Sequence, residues 1–151
     1  MLATGQKYQL ALLTGAVELA ALRSELRGAA LPDVNPADKR CRLFSFLDHD
    51  NRTVAFAGLE GDGKDALLRS VVVVSGLRKS GLATKLVAAM CDAAAKNGVR
   101  RLWLLTTTAE GFFAKLGFDK IDRSSAPPSI ASTTEFATLC PSSAVCMVKD
   151  L

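Results

Sequence analysis

The sequence is poor in the residues from which metal and nucleophilic centres are usually built. It has one histidine, His49, set in a polar Asp48-His49-Asp50-Asn51 turn. Its four cysteines, Cys41, Cys91, Cys140 and Cys146, lie far apart with no Cys-x-x-Cys pair. A metal site needs clustered ligands at short spacing, so no metal is expected, and the thiols read as reduced and partly buried. The net charge of +4 is scattered along the chain, with neither a basic stripe nor aromatics interleaved among basic residues. Nucleic acid is therefore not an expected partner, and a small anionic ligand accounts for the excess charge. Apolar runs stop far short of the ~20 residues a membrane span requires. The start carries one lysine and no apolar block ahead of a small-residue cleavage site, so it does not read as a signal peptide, and the expected location is the cytoplasm.

What is present suits a globular protein: 151 residues, 49% hydrophobic and 23% charged. With no repeat, low-complexity tract or linker, residues 1–151 read as one α/β domain with a mixed sheet. A strand is expected over residues 6–13, then a helix capped by Thr14 and stopped by Gly28. Residues 42–47 and 53–59 read as an antiparallel hairpin. Residues 66–74 form a valine-rich strand covered on both faces. A long helix runs to Asn97, with Leu82, Leu86, Val87, Met90 and Ala94 at helical spacing. A strand over 99–106, a short helix over 109–116 capped by Gly117, a strand over 118–121, a helix from Pro127-Pro128 to about residue 139 and a strand over 144–149 complete the chain.

The informative segment is Arg78-Lys79-Ser80-Gly81-Leu82-Ala83, between a buried strand and the longest helix. Gly81 and the small Ser80 and Ala83 let a ligand approach the backbone where helix amides lack internal partners, and Arg78 and Lys79 add positive charge. A pyrophosphate fits such a place. The spacing matches neither a P-loop nor the three-glycine dinucleotide fingerprint, and an ordinary basic turn between strand and helix is the competing reading.

Arg78-x-x-Gly81-x-Ala83 resembles motif A of the GNAT acetyltransferases, and Phe112-Phe113-Ala114-Lys115-Leu116-Gly117-Phe118 resembles that family's second signature, a helix ending in Gly-Phe. The order of elements is similar along nearly the whole chain. The resemblance implies a mixed sheet of about seven strands with a splayed centre and helices on both faces, with acetyl-CoA as cosubstrate. It implies that Val71, Val72 and Val73 pair with the pantetheine arm and that amides from Lys79 through Ser80, Gly81, Leu82 and Ala83 to Thr84 cradle the pyrophosphate, with Arg78 shaping the loop. An amide of the valine stretch, taken as that of Val72, would meet the oxyanion.

A narrower resemblance, carried by Leu67-Leu68-Arg69-Ser70, Thr106-Thr107-Thr108-Ala109 and Cys140-Pro141-Ser142-Ser143-Ala144, is to GNAT proteins of arsenic-resistance operons and, more distantly, to the acetyltransferase domain of N-acetylglutamate synthases. It implies an amino-acid acceptor, glutamate or a glutamate-like antibiotic of the arsinothricin or phosphinothricin type. Arg69, with Ser70 beside it, would meet a substrate carboxylate, or else a protein carboxylate such as Glu60. Arg123 would meet the distal acid, or remain a solvated loop arginine. Thr106, Thr107, Ser142 and Ser143 are candidates to bond the substrate; ordinary strand and loop roles, with Thr108 as a helix cap, compete. Glu60 is the candidate base, and a surface carboxylate in a Gly-Asp-Gly turn the alternative. Phe113 stands where many of these enzymes carry a proton-donating tyrosine. No acyl-enzyme is expected, because neither Cys140 nor Cys146 has a histidine partner. Acetylation of another small amine, or CoA binding without catalysis, are the rival functions, and the Val/Cys-rich last strand is a candidate homodimer surface.

Overall fold

The computed structural model describes residues 8–61, 63–78, 80–139 and 141–151. Lys79, Cys140 and the first two residues of the expected opening strand lie outside that set. Seven strands form one sheet in the order β1-β2-β3-β4-β5-β7-β6. They are β1 Gln9–Leu12, β2 Cys41–Leu47, β3 Thr53–Glu60, β4 Asp65–Val73, β5 Arg101–Thr106, β6 Asp119–Ile121 and β7 Val145–Asp150. Every neighbouring pair is antiparallel except β4–β5, which is parallel. A parallel pair needs a crossover, and the helix α2, Leu82–Lys96, supplies it. The expected mixed sheet with helices on both faces is what the chain forms.

The local chemistry explains the elements. The β2–β3 turn is tied by Asp48, whose carboxylate accepts from the amides of Asp50 (2.8 Å) and Arg52 (3.0 Å). Helix α2 buries Leu82, Leu86, Val87, Met90 and Ala94, one stripe at helical spacing, against β3, β4 and β5. Helix α3, Glu110–Lys115, adds Phe113 to the same core. On the opposite face, α1, Gly15–Gly28, packs Leu22 and Leu26 against Phe56 and Val72, while α4, Pro128–Ala131, packs Ile130 against Leu67 and Trp103.

Helix α1 ends at Gly28, as expected, but Gly28 is not its left-handed cap: Ala30, at φ 57°, takes that position, with Ala30 N bonded to Arg27 O and Leu31 N to Leu26 O. Two further local expectations are corrected. The helix expected up to residue 139 breaks after one turn. The Thr133 hydroxyl donates to Ile130 O (2.7 Å) and accepts from Phe136 N (3.4 Å), ending α4 and opening a π-helical turn, Glu135–Leu139. Thr108 is not the cap before α3; Thr106 Oγ1 accepts the Ala109 amide at 3.0 Å. Gly117, at φ 95°, does terminate α3, and Phe118 folds back edge-on against Phe113 with centroids 5.5 Å apart.

Candidate active site

Strands β4 and β5 pair only at Asp65–Arg101, Ala66–Leu102 and Leu67–Trp103. Beyond Leu67 they part, leaving the rest of β4 unpaired on that edge. A cavity of about 560 Å³ fills the wedge, walled by Leu68 to Val71 on one side and Leu104 to Thr106 on the other. A second cavity of about 520 Å³ runs from Val71–Val73 to the start of α2. The two meet at Ala29, Val71, Ala83 and Phe112, which line both.

A bulge in β4 sets which backbone groups face the wedge. Gly58 opposes Arg69 and Phe56 opposes Val72, so Ala57 alone faces Ser70 and Val71. Ser70 adopts φ 57°, a conformation that costs a side-chain-bearing residue about 1–3 kcal/mol. Past the bulge, Val74 N donates to Val54 O at 3.0 Å. In an antiparallel ladder alternate residues exchange both bonds, so Val72, opposite Phe56, also gives its amide and carbonyl to β3. The expectation for Val72 is corrected on that ground: Val71 and Val73 are the residues that turn their amides to the wedge. The Val73 carbonyl accepts from Arg78 Nε at 3.2 Å, which ties the loop to the strand end.

The second cavity leads to the start of α2. Gly81 sits at φ 81° as its N-cap, and a Cβ there would meet nothing within 4 Å, so the backbone is open to a ligand. The first turn carries no acidic residue, and Ser80, Leu82, Ala83 and Thr84 line the cavity beside Arg78. An amide-rich, positively polarised pocket with no carboxylate among the described residues that line it fits a diphosphate. Arg78 also approaches Glu25 at 3.7 Å, so part of its charge is shared.

The wedge cavity holds a buried charge cluster. Arg69 Nη1 lies 3.1 Å from Glu60 Oε1, Arg69 Nε lies 3.6 Å from Glu135 Oε1 and 3.3 Å from Ser70 Oγ, and Arg69 Nη2 donates to Asp33 O at 2.8 Å. Arg69 and Glu135 line the cavity; Glu60 does not. Glu60 ends β3 opposite Leu67, at the closed end of the wedge, and is only 1% exposed. It is neither a surface carboxylate nor a group beside the cleft. Glu135 is the carboxylate that reaches the cavity. Burial pushes its pKa up to about 7, against the opposing pull of Arg69, with Glu60 adding to the rise. Sequence reasoning passed over Glu135, although it is the lone charged residue between Arg123 and Lys149.

Other expected site residues fall in different places. Thr106 and Thr107 line the wedge cavity. Arg123 does not; it donates to Pro141 O (2.9 Å) and Phe136 O (2.6 Å), clamping the π-helical turn. Ser142 and Ser143 are exposed and line neither cavity, whereas the flanking Pro141 and Ala144 face the wedge. Phe113, packed edge-on against Phe112 and Phe118, puts a phenyl ring on the cavity wall. Burial raises the thiols of Cys41 and Cys146 to about 11, which holds them protonated at neutral pH. Among the described residues no cluster of three or more potential metal ligands occurs, and no helix is long and apolar enough to cross a membrane.

No curated protein matches the sequence. Many solved structures share the fold. N-acetylglutamate synthase from Neisseria gonorrhoeae, complexed with coenzyme A and N-acetyl-glutamate, superposes with a TM-score of 0.78 at 18% identity, over 99% of this chain and 36% of that one. This chain thus spans about a third of that synthase. Rv2747 from Mycobacterium tuberculosis, in complex with CoA, gives a TM-score of 0.72 at 19% identity, covering 89% of this chain and 95% of that one. A spermidine N-acetyltransferase chimera from Vibrio cholerae and hSSAT gives 0.70 at 12% identity, covering 96% of each. At these identities the likeness establishes the fold alone. The family model for acetyltransferases (GNAT) matches residues 16–118. With most of the chain matched, and with a splayed sheet running into an open helix start, the chain belongs to the acetyltransferase (GNAT) family, with acetyl-CoA as the cosubstrate of that chemistry.

Proposed function

We propose that the protein is an N-acetyltransferase that moves the acetyl group of acetyl-CoA to the amine of a small amino acid, by direct attack within a ternary complex. The observation that carries this reading is the junction of the two cavities at Val71 and Ala83. One cavity offers helix amides for a diphosphate, and the other holds an arginine and a carboxylate that together complement a zwitterion. Acetyl-CoA, when bound, would supply the electrophilic thioester carbonyl, with the coenzyme A thiolate as the leaving group.

The chain's own groups have distinct tasks. The amides of Leu82, Ala83 and Thr84, with Gly81 and Ser80, hold the diphosphate, and the free backbone edge of Val71 and Val73 continues the β4 ladder. The Val71 amide, in the bulge where both cavities meet, is the donor for a developing oxyanion. Glu135, with a pKa about 7, takes a proton from the acceptor ammonium. Arg69 holds the acceptor carboxylate from the same wall. Phe113 offers no proton, so the thiolate leaves unaided or takes a proton from water. The raised thiol pKa values of Cys41 and Cys146 favour direct transfer over an acyl-enzyme.

The test is a screen of amine acceptors with detection of free thiol, using several amino acids, phosphinothricin, arsinothricin and spermidine. Turnover of amino acids or their analogues supports the reading. Activity confined to spermidine overturns the acceptor class. Saturable acetyl-CoA binding with no turnover of any amine favours a binding module without catalysis.

A further inference from the structure

Arg69 is the one cation among the described residues that line the wedge cavity, and it is already engaged. Two carboxylates face it, Glu60 at 3.1 Å and Glu135 at 3.6 Å, and a third direction is closed by the carbonyl of Asp33 at 2.8 Å. With both glutamates ionised, the cluster carries a net charge of −1. Arg123, the other arginine suited to an acidic acceptor, spends its guanidinium on the carbonyls of Phe136 and Pro141. The remaining wall is apolar apart from hydroxyls such as Thr106, Thr107 and Ser70.

We propose that the acceptor site selects by charge: it takes an amino acid with an uncharged side chain and discriminates against one with a side-chain acid. This rests on the amino-acid reading above and narrows it. An α-carboxylate can share the outer face of Arg69 while the ammonium turns to Glu135. A second carboxylate would enter a desolvated cavity with no cation left to meet it and a net negative cluster nearby, an unfavourable burial in apolar surroundings. The glutamate-like antibiotics implied by the narrower resemblance carry such a group. Glu60 acts here as a positioning residue: it holds Nη1 at 3.1 Å and so reduces the donors that Arg69 can turn to an anion in the cavity.

Glutamine and glutamate provide the test, since they differ in charge and hardly in shape. The expected kcat/KM for glutamine exceeds that for glutamate by at least about tenfold, with the difference in KM rather than kcat. Glu60→Gln, which frees part of the guanidinium, is expected to narrow that ratio; the wild-type ratio stands alone if this variant fails to fold. Equal rates, or a preference for glutamate, overturn the charge rule while leaving the amino-acid reading intact. Turnover of neither, in an assay that registers another amine, removes the amino-acid reading and the charge rule with it.

Discussion

The guanidinium of Arg69 and the carboxylate of Glu60 form an ion pair at 3.1 Å in which both side chains are almost wholly buried, 4% and 2% exposed. The pair bridges neighbouring strands at the closed end of the wedge, where β3 and β4 still lie in register. It therefore fixes the arginine that lines the wedge cavity.

Removing one partner of a buried pair leaves the other charge uncompensated, which typically costs about 3–5 kcal/mol. Glu60→Ala is expected to lower the free energy of unfolding by that order, measured by urea denaturation. A loss below about 0.5 kcal/mol, the range of ordinary surface substitutions, would mean that the pair does not form.

Under the proposed mechanism, Glu135 ties pH to both rate and stability. Its folded pKa, about 7, lies above the ordinary carboxyl value of 4.5, so the folded state binds the proton more tightly than the unfolded chain. The stability it contributes is fully present below about pH 4.5 and is lost as pH rises through about 7. Between about pH 5 and about pH 8 the wild type should lose stability with rising pH, and Glu135→Gln should flatten that slope. The rate moves the other way. A base must be ionised, so kcat/KM should climb with an apparent pKa about 7, and Glu135→Gln should remove that limb and lower kcat about 100-fold or more. A titration limb that persists in the glutamine variant assigns the base elsewhere.

How far the sequence was legible depends on the range of the forces involved. The strand-loop-helix segment around Gly81 and the turn at Gly117 could be read directly, because a left-handed glycine and a stripe of Leu82, Leu86 and Met90 are local signals. The wedge was legible only through family resemblance, since it arises from where pairing stops between β4 and β5. The bulge at Ser70 was not legible at all: a serine at φ 57° has no signature, and the bulge decides that Val71, not Val72, faces the cleft. Glu135 was missed because it lies 66 positions beyond Arg69 in sequence and meets it only through the π-helical turn. Its isolation as the single charge in a long neutral stretch was the usable clue.

The cavity rim stores strain at Ala30. This residue closes α1 at φ 57°, a position where a side chain costs about 1–2 kcal/mol and glycine costs little. Because Ala30 lines the wedge cavity, Ala30→Gly is expected to raise stability by about 0.5–1 kcal/mol in thermal or urea unfolding while changing acceptor KM more than acetyl-CoA KM. A destabilised variant would show that the left-handed cap is absent.

Coenzyme A binding at the start of α2 is the claim on which the other assignments depend, and isothermal titration with CoA tests it most directly. Wild-type protein should give saturable binding of one molecule per chain, weakened as salt is added. Gly81→Val, which puts a branched side chain at φ 81° over the open backbone, should weaken that binding about tenfold or more. Absence of saturation in the wild type, or unchanged affinity in the valine variant, would contradict the account.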